Sequence, residues 1–194
     1  MGRLICEIMT ENGMPLNTPV FIFGNLAPDL CFSFLFHKHN HTESAASLAK
    51  LLKRLYDGDI AFNEAMFSFY LGMATHYVCD FLCYPHSPAF KGGLREHVIY
   101  ERKQTVNSDD MLPFYKQKSK NLSLAKLIEK LDGHISRREQ LFSQNVGLTN
   151  CDIPLAMYVA TWVASCAYLH AEKLAAENFT NMHGNETLAM EMAL

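Results

Sequence analysis

The segment 75–101 carries an unusual number of side chains that can bind a metal ion. His76 and Asp80 are four residues apart in a stretch whose apolar pattern predicts a helix, so both side chains lie on one face, one turn apart. Their neighbours are mostly apolar, and an ionised aspartate in such surroundings is costly unless it is paired or binds a cation. The pair therefore predicts a buried cation site or a buried ion pair.

The same spacing recurs after a predicted turn. His97 and Glu101 are again four residues apart, and His86 follows Pro85 in the turn between the two predicted helices. Imidazole nitrogen and carboxylate oxygen are ligands that suit zinc. Alternatively, each histidine forms its own core hydrogen bond and each acid pairs with a nearby base. Five such groups around one turn favour the metal site.

Two further sources of ligands precede this segment. Asp29 ends an apolar run that begins at Val20, and the Gly-Asn and Ala-Pro pairs within the run predict a turn, so Asp29 projects from a loop or a helix start. His37, His39 and His41 lie just before a predicted helix. Histidine-rich tracts bind metals but are also common on solvated loops, and periodicity alone does not choose among the three.

The elements that must position these residues are helices. Helical spacing of apolar residues continues through most of the chain, with a helix cap predicted at Thr42 and a helix stop before Pro85. The segment around Gly133 is predicted as one or two helices with a break near that glycine. No alternating strand pattern persists. The sequence predicts an all-α fold, a single-domain helical bundle over residues 1–180, followed by a disordered tail at 181–194.

Composition limits the classes of function. The net charge of −3 argues against a nucleic-acid-binding protein, which is usually basic. The uncharged run Ile153–Leu169 barely reaches the length of a membrane span, so a buried central helix is favoured over a transmembrane segment. Glu7 interrupts the first apolar run, which disfavours a signal peptide. The six cysteines are then expected to be reduced thiols in the cytoplasm.

The ordered series of these residues resembles the zinc-dependent phospholipase C family, and more distantly the single-strand nucleases of the same all-helical fold. The resemblance covers about residues 21–101. It depends on GNLAPDL, a histidine before the next helix, HYVCD, PH and EHVIYE. In order, these motifs supply an aspartate, a histidine, HxxxD, a histidine six residues later, and HxxxE.

The resemblance implies zinc ligands and an activity. A first zinc would be held by Asp29, His41, His76 and Asp80, and a second by His86, His97 and Glu101 with a position open for water. His41 is preferred because it lies closest to the helix start, and His39 is the alternative. The family's third zinc uses the N-terminal residue or a histidine near it, and no histidine precedes His37. Two zinc ions are therefore expected, with room for a third.

The implied reaction is zinc-dependent hydrolysis of a phosphodiester, either a phospholipid head group or a related diester. Asp29 is the candidate catalytic residue, since it could orient the attacking water. Because metal ions supply positive charge, such a site needs no basic patch. Two alternatives remain at this point: a non-catalytic helical module with structural zinc, and a nuclease specific for single strands.

Overall fold

All regular structure in the described part of the chain is helical. The computed structural model describes residues 1–30, 40–61, 63–103, 119–144 and 152–191, and no strand occurs among them. The predicted all-α class is therefore confirmed. The division into a domain at 1–180 and a tail at 181–194 stays a prediction, although the backbone of the last helix continues past residue 180 to Glu191.

The helix that carries His76 and Asp80 forms the centre of the fold. In chain order the helices are α1 (Gly2–Glu11), α2 (Thr18–Leu30), α3 (His41–Leu55), α4 (Gly58–Ala61), α5 (Glu64–Leu82), α6 (Leu94–Lys103), α7 (Leu124–Ser143) and α8 (Asp152–Glu191), with a 3₁₀ turn at Tyr84–His86. Helix α5 packs against α2, α3, α7 and α8. Its residues Leu71, Val78 and Leu82 are fully buried.

Side-chain caps fix the start of three helices. Asn40 accepts a hydrogen bond from the Glu43 amide at the start of α3, which begins at His41; the cap predicted at Thr42 is therefore wrong, because Thr42 lies inside the helix. Asn63 and Ser123 accept equivalent hydrogen bonds at the starts of α5 and α7. These residues satisfy amide groups that a helix start leaves without intrahelical partners.

Helix α7 has no break at Gly133, so that prediction is wrong. Leu127, Leu131 and Ile135 are buried at helical spacing on both sides of the glycine. A glycine in a helix interior costs only about 1 kcal/mol relative to alanine. Burial of this apolar face outweighs that cost, so the helix continues through the glycine.

Helix α8 contributes a face of small residues to the core. Ala156, Ala160, Ala164 and Ala167 are fully buried, and the helix contacts α1, α5 and α7. Residues 152–181 are long and apolar enough to span a membrane, but 56% of the most apolar window is buried inside the protein. A central core helix meets the same criteria, so this is weak evidence for a membrane span.

Helices α2 and α5 cross at two glycines. A Cβ atom on Gly24 would lie 2.1 Å from the Phe69 carbonyl oxygen, and one on Gly72 would lie 2.3 Å from the Phe21 carbonyl oxygen. Only glycine allows the two backbones to approach this closely. The predicted turn in this region is wrong, because α2 continues through Gly24 and includes Pro28. Packing on α5 overrides the local preference of both residues.

Candidate metal centre

His76 and Asp80 face each other from adjacent turns of α5. The distance from His76 Nε2 to Asp80 Oδ2 is 3.0 Å, and the two side chains are only 11% and 10% exposed. This contact has the length of a hydrogen bond. The imidazole and the carboxylate, both buried in the core, are thus in direct polar contact.

Asp29 reaches the same imidazole from α2. Its Oδ1 lies 3.6 Å from His76 Nε2, and its side chain is 61% exposed. Asp29 occupies the last turn of α2, rather than a loop or a helix start. The close crossing of α2 and α5 brings this residue to His76, so the structure unites residues that are 47 positions apart. The exposed carboxylate places one side of the cluster in contact with solvent.

The turn after α5 supplies a second imidazole to Asp80. His86 Nε2 lies 3.6 Å from Asp80 Oδ1, and the His86 side chain is 12% exposed. Asp80 therefore presents one carboxylate oxygen to each of two histidines. The predicted convergence of His76, Asp80 and His86 is present in the structure.

Helix α6 brings His97 next to His86. The His86 and His97 rings meet edge to face, with centroids 4.6 Å apart. The α6 backbone continues through Glu101, whose side chain lies outside the described part of the structure. Its role as a ligand stays a prediction.

The donor types in this cluster are compatible with zinc. Bonds of about 2.0–2.2 Å in a tetrahedron put neighbouring ligand atoms about 3.3–3.6 Å apart. For the predicted first zinc, the contact of His76 with Asp29 is 3.6 Å, and the contact of His76 with Asp80 is shorter, at 3.0 Å. Among the described residues, however, no group of three or more His, Cys, Asp or Glu side chains is arranged so that it could hold a metal ion as it stands. The residue types fit zinc, which binds imidazole nitrogen and carboxylate oxygen.

The protonation of His76 follows from its neighbours. Burial lowers the pKa of His76, but the hydrogen bond and charge of Asp80, together with the charge of Asp29, raise it above its ordinary value. The His76 ring also hydrogen-bonds the backbone of Asn25. Ligating histidines usually make such a contact through the ring nitrogen that does not bind the metal, and the contact orients the ring. Zinc and protons would compete for His76, so a raised pKa weakens zinc binding as the pH falls.

Asn25 is a functional residue that sequence reasoning missed. Its side-chain amide donates to the Gly72 carbonyl at 3.2 Å and to Thr75 Oγ1 at 3.3 Å, which fixes α2 against the turn before His76. Gly2 packs against the same asparagine, since a Cβ there would lie 2.9 Å from Asn25 Oδ1. The asparagine in GNLAPDL was the available sequence signal.

His41 has a different set of neighbours. Its Nε2 lies 3.9 Å from Asp132 Oδ1, its Nδ1 lies 3.8 Å from Glu139 Oε1, and its ring meets the edge of Phe81. It also lines a cavity of about 300 Å³ between α3, α5 and α7. The described contacts therefore do not unite His41 with His76 and Asp80. His37 and His39 lie outside the described residues, so the identity of this ligand stays a prediction.

Cys6, Cys79, Cys83 and Cys166 are buried in the described part of the chain. Burial raises the pKa of Cys79 to about 12, although the charge of the N-terminal amine acts in the opposite direction. Cys79 and Cys83 are thus core thiols, as the sequence predicts, rather than a disulfide.

Comparison with known proteins identifies one family. The model of the family described as zinc-dependent phospholipase C matches residues 1–140, which include every predicted ligand. No curated protein and no solved structure matches the chain.

Proposed function

The chain belongs to the zinc-dependent phospholipase C family, and from this premise we propose that it hydrolyses a phosphodiester at the centre formed around Asp80. The family implies zinc as the cofactor and hydrolysis as the general activity. The finer proposal is a phospholipase C reaction on a phospholipid head group or a related diester. One observation carries it: Asp80 presents its two oxygens to His76 and His86 at 3.0 and 3.6 Å.

The proposed zinc ligands fall into two groups. Asp29, His76 and Asp80 would hold one zinc, and His86 and His97 would hold a second with Glu101. When bound, zinc supplies positive charge for the phosphate oxygens and lowers the pKa of water. The Asn25 backbone and the α2–α5 contact orient His76. Asp29, whose side chain is 61% exposed, has room to accept a proton from an attacking water and to direct it.

The exposure of Asp29 favours an enzyme over a structural zinc module. Structural zinc sites are closed by four protein ligands, whereas catalytic sites keep a position open to solvent. The net charge of −3 favours a small or lipid diester over a nucleic acid, which proteins usually bind through basic surfaces. A cytoplasmic location belongs to the same proposal and is supported by the buried thiols of Cys6, Cys79 and Cys166, since thiols persist in a reducing compartment.

The test combines metal content with activity. We expect elemental analysis to find two zinc ions per chain, and a chromogenic phosphocholine diester to be hydrolysed until a chelator is added. Asp80→Asn should lose zinc, activity and thermal stability together, because the amide removes the charge shared by two histidines. At a zinc concentration 100 times Kd, bound zinc contributes about 2.7 kcal/mol to folding, which this variant would lose.

Asp57→Asn is the matched control, since Asp57 is exposed and lies outside the cluster. Unchanged zinc content in Asp80→Asn would contradict the proposed centre. Zinc without hydrolysis of any diester would favour the structural module, and faster cleavage of single-stranded DNA than of the phosphocholine diester would favour the nuclease.

A further inference from the structure

Asp152 is a buried carboxylate that lies outside the matched region 1–140. Asp152, the first residue of α8, is fully buried. It forms an ion pair with Arg138 of α7. Its Oδ2 also accepts hydrogen bonds from the Tyr84 amide at 2.9 Å and from Tyr100 Oη at 2.7 Å. One side chain thus connects α6, α7, α8 and the 3₁₀ turn.

Two partners of Asp152, Tyr84 and Tyr100, lie close in sequence to predicted ligands. Tyr84 begins the turn that carries His86, and Tyr100 lies between His97 and Glu101 on α6. Arg138 also donates from Nε to the Leu82 carbonyl at 3.4 Å, near the end of α5. The contacts of Asp152 therefore converge on the segments that surround the second zinc site.

Helix α6 depends on such contacts for its position. Leu94, Val98 and Ile99 are exposed, and Leu94 is 79% exposed. Burial of these apolar residues therefore contributes little to the docking of α6. Tyr100 instead contacts the Tyr84 ring, with centroids 5.8 Å apart, and donates its hydroxyl to Asp152.

We infer that Asp152 is a positioning residue that holds His86 and His97 at the second zinc site, so that α8 is required to complete the centre. Asp152 does not touch substrate or metal; it acts through the Tyr84 amide and the Tyr100 hydroxyl. The inference rests on the proposed function, because it concerns the second zinc ion of the same centre. It adds that residues beyond the matched region 1–140 control binding at that ion.

The test uses zinc itself as the probe, measured by competition with a chromophoric chelator on the full chain. Tyr100→Phe removes one hydroxyl and leaves the Arg138–Asp152 pair in place. We expect this variant to bind the first zinc as the unaltered chain does, and the second zinc about tenfold more weakly, as when supporting contacts of ligands are removed. Cobalt bound in place of zinc should show the same difference between the two sites, and the absorption spectrum of the first bound ion should be unchanged.

Tyr70→Phe is the control, because it removes a tyrosine hydroxyl on α5 that accepts a hydrogen bond from the charged side chain of Arg54 on α3. Its two zinc affinities should equal those of the unaltered chain. Asp152→Asn removes the negative charge as well and should weaken zinc binding at the second site further. If that variant does not fold, the result for Tyr100→Phe alone decides whether Asp152 positions the ligands.

The outcomes separate the two proposals. Two zinc ions of unchanged affinity in Tyr100→Phe would overturn the positioning role and leave the proposed function intact. Equal weakening of both ions would also overturn it, since a general loss of structure would then explain the effect. If the unaltered chain bound no zinc, both proposals would fall, whereas loss of both ions only in Asp80→Asn would support the centre itself.

Discussion

The crossing of α2 and α5 leaves no room for a methyl group at Gly72, and Gly72→Ala tests whether this contact holds Asp29 at the centre. The new Cβ would lie 2.3 Å from the Phe21 carbonyl oxygen and 2.7 Å from the Asn25 amide nitrogen, whereas ordinary contact begins at 3.4 Å. Both obstructing atoms belong to the backbone and cannot rotate away. The helices must therefore separate by about 1 Å.

The effect on stability follows from two opposing contributions. Alanine is favoured over glycine in a helix interior by about 1 kcal/mol. Overpacking costs about 1–3 kcal/mol, and the rigid backbone neighbours put this position at the upper end. We expect a net loss of about 2 kcal/mol, which lowers Tm by about 4–8 °C for a chain of this size.

The effect on the centre should be selective. Asp29 Oδ1 is already 3.6 Å from His76 Nε2, so a separation of about 1 Å would carry it beyond the distance between two zinc ligands. His76 and Asp80 both belong to α5 and keep their spacing. We expect the affinity for the first zinc to fall about tenfold or more, measured by chelator competition beside a thermal melt.

Gly133→Ala is the control, because no atom lies within 4 Å of a Cβ at that position. It should raise Tm by about 2–4 °C and leave zinc binding unchanged. A Gly72→Ala variant that melts at or above the temperature of the unaltered chain and binds zinc equally well would refute the role of the crossing.

Two further predictions concern titratable groups in the core. Asp80 and Asp29 raise the pKa of His76 above 6.5. The metal-free protein should therefore gain stability from protonated His76 below pH 6.5 and lose it as the pH rises through the raised pKa. Thermal melts in chelator at about pH 5.5–8.5 should show this fall in Tm, and an equal fall in His76→Gln would contradict the prediction. Because burial raises the pKa of Cys79 to about 12, iodoacetamide at about pH 8 should modify Cys79 only after unfolding; mass spectrometry would detect it, and rapid labelling of the native protein would refute the assignment.

Local spacing was sufficient for part of the centre. The i, i+4 spacing places His76 and Asp80 on one face of α5, and α5 ends before Pro85 so that His86 can turn back toward Asp80. These relations depend on helix geometry over a few residues, which periodicity and turn chemistry encode directly. The ordered motifs added the zinc-dependent family, which the match over residues 1–140 supports.

The remaining relations required the tertiary structure. The approach of Asp29 to His76 depends on backbone contact at Gly24 and Gly72, and the turn predicted near Pro28 proved to be helix because packing outweighed local preference. His41 faces Asp132 and Glu139 of α7, which no local pattern indicates. Asp152 supports the centre through residues 14 to 68 positions away. Spacing along one helix is a property of neighbouring residues, whereas the meeting of separate helices depends on which surfaces pack closely enough to exclude water.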